Sequence, residues 1–482
     1  MGSQNTPRSL VVVTNREPYI DEKTGQTVRR LQTAGGVVSA LDPLLQKIHG
    51  AWVAWGSGSA DRQTAPHGMM MVPPHAPQYE LHRVFLSPEE VNGYYNRYAN
   101  QGLWPLSHML IERTQFSREA FHIYRAVNLK FARRVAQIAP EHGAVFSHDY
   151  HLALFARLIR EMRPDLASAH FWHIPWPPFA IFRLCPQHQE IVRGLLGADI
   201  LGFQTPQDVD NFLTAVERGL KYPVSREDGV VVVGQRQVQV RAYPISVDIT
   251  AIEHMVATPR IARWSRAIRH RAQKENVMLG ISVDRADYTK GILQRLAALD
   301  KFFERYPQYR ERVSFLQVVV PTRTEVREYR TLYQKVTEDS ERINLKYSRN
   351  AWRPIIHVRR SLDRPRLMGL FRAADFAMVS SLFDGMNLVA KEFISAQVDN
   401  HGVLLLSETA GAANELEEAF NFNPLDAGNF AEQLHQALTT PLAERSRRIQ
   451  VMREQIHRHT IYDWMNHIVS ALEAVAKDYA SR

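Results

Sequence analysis

At 482 residues the chain is too long for a single core, and two or three domains are expected. Its 45% hydrophobic and 23% charged residues are ordinary for a soluble globular protein, and no apolar run approaches the ~18 residues of a membrane helix. Met1 to Arg8 are polar, without a signal-peptide apolar stretch, so the default address is cytoplasmic, with no membrane partner. The net charge of +9 suits nucleic acid or small anionic substrates, but Lys and Arg are spread along the chain and no nucleic-acid motif is visible; the reading is no nucleic acid. A single cysteine, Cys185, excludes an intramolecular disulfide and a cysteine-based metal site.

In chain order the sequence alternates strands with helices, which predicts parallel α/β sheets. Leu10 to Val13 is a continuous apolar run, as in a strand buried on both faces. Tyr94-Tyr95-Asn96 with Trp104-Pro105 is aromatic-rich, either plain core or a wall for the apolar face of a sugar ring. Ala144 to Phe146 leads to His148-Asp149, Ala169 to Trp172 leads to His173, and Ile200 to Phe203 leads to Gln204-Thr205. Thr205 as N-cap and Pro206 at the first position open a helix with Val209, Phe212, Leu213 and Val216 on one face. Val230 to Val233 and Gln237 to Tyr243, split by Gly234-Gln235-Arg236, read as a hairpin that closes the first domain near Pro244.

A second α/β run begins at Val277 to Ser282 and continues through Val313 to Val320, Ile355 to Val358, Phe376 to Ser380 and Val403 to Ser407. From about Thr460 the chain ends in an amphipathic helix with Trp464, Ile468, Leu472 and Val475. The expected architecture is two α/β domains with a cleft between them. The expected boundaries are residues 1–245, residues 246–455, and a last helix over 456–482 that returns to the first domain. Polar groups collect where strands end and helices begin, the edge at which open α/β sheets bind ligands.

Two segments carry most of the chemistry. In Ile281 to Gly291, Arg285 and Lys290 follow a strand and Gly291 frees the backbone beside them. Two such cations would offset the charge that grows on a leaving diphosphate; otherwise they are a solvated surface pair. About a hundred residues later comes Asp384-Gly385-Met386-Asn387-Leu388-Val389-Ala390-Lys391-Glu392. Gly385 and Asn387 suit a turn and a helix N-cap, and the free amides that follow would face a phosphate. Asp384 would hold sugar hydroxyls or merely cap a turn; Glu392 would reach a ribose or merely favour the helix N-terminus. Together these segments point to a sugar-nucleotide site.

Elsewhere the signals are weaker. No Walker or dinucleotide-binding glycine motif is present. Gly35-Gly36 is either a tight turn or a backbone approaching a phosphate. His148-Asp149-Tyr150-His151 contains two imidazoles, but the sequence picks out no third metal ligand. Asp149 and His173 read as hydrogen-bond partners for a polyol or as satisfied structural polar residues.

Five ordered segments, His148 to Leu152, His173 to Pro175, Leu201 to Thr205, Arg285 to Gly291 and Asp384 to Glu392, resemble the trehalose-6-phosphate synthases along nearly the whole chain. These are retaining glycosyltransferases of family 20, with two facing Rossmann-like domains (the GT-B fold) and the active site in the interdomain cleft. The resemblance implies a nucleotide-glucose donor, UDP-glucose among them, and a phosphorylated sugar acceptor, glucose 6-phosphate, giving α,α-trehalose 6-phosphate. It implies that Arg285 and Lys290 hold the donor diphosphate with Gly36 and the amides of Asn387, Leu388 and Val389. Glu392 would bind the ribose and the backbone at Leu362 the base. Asp384 and His173 would hold the transferred glucose. Arg16, Tyr95 and Arg323 would grip the acceptor phosphate, Trp104 would wall that pocket, and Asp149 would bind acceptor hydroxyls. No enzymic nucleophile, cofactor or metal is implied; positioning and charge stabilisation carry catalysis.

Two departures bear on the acceptor. His173 to Phe182 lacks the Ser/Thr and Glu of the family's version, with Ala180 at the Glu position. Asn15-Arg16-Glu17-Pro18-Tyr19 also resembles the glucosylglycerol-phosphate synthases, which use glycerol 3-phosphate, whereas Arg323 with Tyr95 and Trp104 matches the glucose-6-phosphate users. Other readings are a non-catalytic sugar-phosphate sensor and a sugar-nucleotide epimerase. No D-x-D phosphatase motif follows the synthase-like region, so dephosphorylation to free trehalose is expected on a separate polypeptide. The donor base and the oligomeric state are left open, a homo-oligomer included.

Overall fold

The computed structural model describes residues 10–33, 36–322 and 326–481. They form two compact units, Met1–Pro244 with Tyr462–Arg482, and Ile245–Ile461.

The first unit is built on a ten-stranded sheet. Seven strands run parallel, in spatial order Arg236–Ala242, Ile200–Phe203, Ala167–Phe171, Ala144–His148, Leu10–Arg16, Ala51–Trp55 and Tyr79–Val84. Antiparallel pairings extend both edges, with Met69–Val72 on one and Val230–Val233 followed by Val224–Ser225 on the other. Val11, Val12 and Val13 are at most 2% exposed, as a continuous apolar run requires when helices cover both faces. This strand runs on past Val13 to Arg16, placing a cation at its carboxyl end. The expected hairpin forms, with a turn shorter than anticipated. Gly234 takes φ +63°, so Arg236 already pairs with Val233 and belongs to the strand.

The helix Pro206–Leu220 starts as its sequence dictates: Thr205 accepts from the Asp208 amide and Asp208 accepts from the Thr205 amide. Phe212, Leu213 and Val216 are buried, while Val209 is only half-buried. In the last helix, Ile461–Ser481, Trp464, Ile468 and Leu472 are buried against the first unit. The hairpin Tyr19–Thr24 with Thr27–Gln32 and the π-helix Val91–Leu103 have no counterpart in the sequence reading. Thr27–Gln32 is exposed along its whole length, so no hydrophobic period announces it.

The second unit has six parallel strands in the order Ile355–Val358, Val313–Val320, Met278–Arg285, Phe376–Val379, Val403–Ser407 and Phe420–Phe422. Met278–Arg285 pairs with Val313–Val320 along its full length, so the strand runs to Arg285 rather than stopping at Ser282. Phe302, Phe303, Phe315 and Phe376 fill one face of this sheet's core. Among the described residues, no helix is long and apolar enough to cross a membrane.

Candidate active-site residues

In the second unit the candidate residues sit at carboxyl ends of parallel strands. Arg285 closes its strand. The preceding Asp284 is anchored by Arg295, a fully buried guanidinium 2.8 Å away that also donates to Ser380 Oγ at 2.9 Å. Gly291 follows Lys290 at φ +59°, and a Cβ there would lie 1.9 Å from the Ser380 carbonyl oxygen. Only glycine permits that approach. Ser380 Oγ also donates to the Lys290 carbonyl at 2.9 Å, so the turn is pinned to the neighbouring strand end.

This turn delivers Lys290 Nζ to 2.5 Å from Asp384 Oδ2. The same oxygen accepts from Ser381 Oγ and Asn387 Nδ2, both at 3.0 Å. The sequence placed Lys290 and Asp384 at one site but gave no sign that they pair. A Cβ at Gly411 would meet the Gly385 carbonyl oxygen at 1.9 Å, so two glycine-bearing turns pack backbone to backbone here. Asn387, at φ +75°, caps the helix Leu388–Ala396 by accepting from the Ala390 amide. Asn387 is thereby the N-cap its sequence predicts, with Leu388 and Val389 in the first turn.

Glu392 lies one turn further on, and burial raises its carboxyl above the ordinary range, opposed by Arg364 at 3.6 Å. Arg364 was not singled out in the sequence, where it stands 28 residues from Glu392. It opens the helix Arg364–Ala373, capped by Asp363, and half-buried Leu362 lies in the loop just before. Lys391 is buried, donating to the Ile245 carbonyl and to Glu415, each at 2.8 Å.

In the first unit, Asp149 follows the strand Ala144–His148 with φ +73° and ψ 166°, a conformation that costs a non-glycine residue about 1–3 kcal/mol. It is held by its amide, which donates to the Phe171 carbonyl at 2.7 Å, and by Oδ1, which accepts from the Tyr150 and His173 amides. His148 Nδ1 and His173 Nε2 lie 3.1 Å apart and share one proton. Burial pushes His173 down to about 3, and burial together with the neighbouring His173 and His170 holds His148 well below its ordinary value. Both are therefore neutral imidazoles at neutral pH. Among the described residues, no three His, Cys, Asp or Glu side chains gather as a metal set.

The aromatic segment divides. Tyr94 is core, fully buried and donating to Asn15 Oδ1 at 2.8 Å. Tyr95 is half-buried and stacks on His151, with centroids 5.5 Å apart and planes within 12°. Trp104 is only 6% exposed and packs on His108 and Tyr150. Arg16 is exposed at its strand end, Gly36 begins the helix Gly36–Ile48, and Arg323 lies outside the described residues.

Two features near these residues went unread in the sequence. Glu17, beside Arg16, accepts from buried Arg83 at 2.7 Å, and Arg83 also meets Asp21 and Asp61 at 3.1 and 2.9 Å. All three carboxylates meet Arg83, and Asp21 alone also meets Arg30, so negative charge exceeds positive in the cluster and favours a retained proton. Burial and the hydrogen bond with Asp61 put it on Glu17, whose carboxyl is raised to about 8. Trp464 of the last helix lies 5.2 Å from Phe171, 6.4 Å from His148 and 6.3 Å from His173, centroid to centroid. Its place in the sequence, some three hundred residues later, hid that neighbourhood.

Residues 8–474 match the family model for glycosyltransferase family 20. The chain belongs to glycosyltransferase family 20. It is 36% identical to the trehalose-6-phosphate synthase of Mycolicibacterium smegmatis over 97% of this chain and 93% of that protein. It is equally identical to the bifunctional trehalose-6-phosphate synthase/phosphatase of Thermoproteus tenax, of which it spans 63%. An E. coli structure bound with UDP-2-fluoro glucose superposes at a TM-score of 0.86, with 31% identity, over 96% of this chain and 98% of that one. A trehalose-phosphate synthase of Burkholderia xenovorans in complex with glucose-6-phosphate superposes at 0.85, with 30% identity, over 96% of this chain and all of that one. The fold of this family 20 member is accordingly GT-B, two parallel-sheet Rossmann-like domains.

Proposed function

We propose that this family 20 protein is a retaining glucosyltransferase that moves glucose from UDP-glucose to glucose 6-phosphate, giving α,α-trehalose 6-phosphate. The observation that carries the reading is the Lys290–Asp384 contact at 2.5 Å, beside Arg285 and the capped start of the helix Leu388–Ala396. It sets a diphosphate grip against a carboxylate suited to sugar hydroxyls. In this reading Arg285, Lys290, Gly36 and the amides of Asn387 to Val389 hold the donor diphosphate, Glu392 the ribose and the Leu362 backbone the base. Asp384 and neutral His173 hold the glucose. Arg16, Tyr95 and Arg323 grip the acceptor phosphate, with Trp104 behind them and Asp149 on acceptor hydroxyls. The relatives' complexes with UDP-2-fluoro glucose and glucose-6-phosphate support this pairing of substrates.

The bond between the sugar C1 and the diphosphate oxygen breaks as C1 bonds the acceptor hydroxyl oxygen on the same face. The hydroxyl proton passes to the departing phosphate oxygen. Lys290 and Arg285 stabilise the charge arriving on the diphosphate, and the remaining residues fix the reactants.

The test is incubation with UDP-glucose and either glucose 6-phosphate or glycerol 3-phosphate, following UDP release and product anomeric configuration by NMR. An α,α-linked disaccharide phosphate formed from glucose 6-phosphate alone supports the proposal. Turnover only with glycerol 3-phosphate replaces it with the second reading, which Asn15 to Tyr19 favour. UDP release that needs no acceptor points to an epimerase, and ligand binding without turnover to a sensor.

A further inference from the structure

The first unit contains a basic cavity where its strands begin, at the opposite end of the strands from His148 and His173. Arg157 and Arg160 lie on the helix Phe155–Met162, and Arg193 lies on the helix His188–Leu195, just before the strand Ile200–Phe203 begins. Arg236 is the first residue of the strand Arg236–Ala242. These four guanidiniums, with Tyr222 and Glu161, line a cavity of about 230 Å³. Among the described residues, Asp199 is the one other carboxylate in hydrogen-bond or ion-pair contact with them, so cationic charge exceeds anionic.

Part of this cluster is structural. Arg160 donates to the Gly197 carbonyl at 2.7 Å and to Asp199, and Arg236 donates to the Leu196 carbonyl at 2.8 Å. These contacts close the end of the helix His188–Leu195, as cations there should. They leave donors over. Arg236 Nη1 is buried without a hydrogen-bond acceptor, 3.6 Å from Asp199. Burial and the neighbouring Arg160 also hold the Arg236 guanidinium below its ordinary range, so its charge is poorly compensated. Arg157 is engaged through Nε with Glu161, and Arg193 through a single bond to Gln189 at 3.2 Å. Helix-end closure uses neither.

We propose that this cavity binds a small phosphate-class dianion, separately from the substrate residues. The guanidinium fork matches phosphate oxygens in pairs, and several forks around one small cavity exceed what capping needs. Hydrogen bonds tie the cluster to the last helix: Arg160 donates to Tyr479 Oη at 3.1 Å, and Tyr479 donates to Asp199 at 2.7 Å. The same helix carries Trp464 against His148 and His173.

The test is calorimetric titration of the full chain with inorganic phosphate, at ionic strength held constant with chloride. An Arg16→Ala/Arg285→Ala/Lys290→Ala/Arg323→Ala background removes the cationic side chains proposed to grip the substrate phosphates. Phosphate binding should persist there and weaken at least tenfold on adding Arg157→Gln/Arg193→Gln, which touch no capped carbonyl; Arg236→Gln with unchanged circular dichroism should do the same. Phosphate binding that vanishes in the background, survives the arginine changes, or is matched by chloride overturns the proposal. These outcomes are independent of whether UDP-glucose and glucose 6-phosphate prove to be the substrates.

Discussion

Replacing Lys290 with methionine keeps most of the length of the side chain and removes its terminal ammonium, with its charge and its donors. Both Lys290 and Asp384 are 14% exposed, and Asp384 Oδ2 keeps Ser381 Oγ and Asn387 Nδ2 at 3.0 Å when the ammonium goes. The fold should therefore lose about 1–2 kcal/mol, less than the 3–5 kcal/mol of breaking a fully buried pair, because two neutral donors still satisfy the carboxylate. Turnover should fall much further. A charge-assisted contact that strengthens as the diphosphate departs is worth about 3–4 kcal/mol, so kcat should drop ~100-fold or more. Initial rates over UDP-glucose and glucose 6-phosphate, with folding checked by chemical denaturation, separate the two effects. A double-mutant cycle with Asp384→Asn then asks whether Lys290 acts on the leaving group or only by orienting Asp384. Turnover within twofold of wild type would refute the leaving-group role. Losses for Lys290→Met that disappear in the Asp384→Asn background would reassign it to orientation.

Arg323→Ala should raise the KM for glucose 6-phosphate at least tenfold and leave that for UDP-glucose nearly unchanged, since one charge-assisted phosphate contact is lost; equal effects on both would refute the assignment. The Glu17 carboxyl gives a pH prediction. Unfolded, it releases its proton near 4.5, and folded it holds the proton to about 8, so between these values folding takes up a proton. Stability from this group is complete below the lower value and falls as pH rises to the upper one, by at most about 1.4 kcal/mol per pH unit. Glu17→Gln should flatten that decline in denaturation curves taken from pH 5 to 8; an unchanged slope would refute it. His148, His170 and His173 act in the opposite sense, since burial lowers all three when folded. The unfolded chain protonates them as pH falls through about 6.5, so stability should also fall on the acid side, and His170→Gln should reduce that loss if the reasoning holds.

The sequence alone determined the two α/β runs, because buried parallel strands are continuous apolar words and their helices open with legible caps. Val313–Val320 and Val403–Ser407 have the limits their sequence predicts, and Thr205-Pro206 and Asn387 begin helices where cap chemistry says. The motif residues fall at strand ends for the same reason. Only tertiary structure could bring together Lys290 with Asp384, Arg364 with Glu392, Glu17 with Arg83, and Trp464 with His148 and His173. It also decided that Tyr94 is core while Tyr95 stacks on His151, a split that adjacent identical residues cannot announce. Periodicity and capping are local, written within one or two turns of chain. Pairing across strand ends depends on crossover and register, and the residues that meet there are separated by whole secondary-structure units.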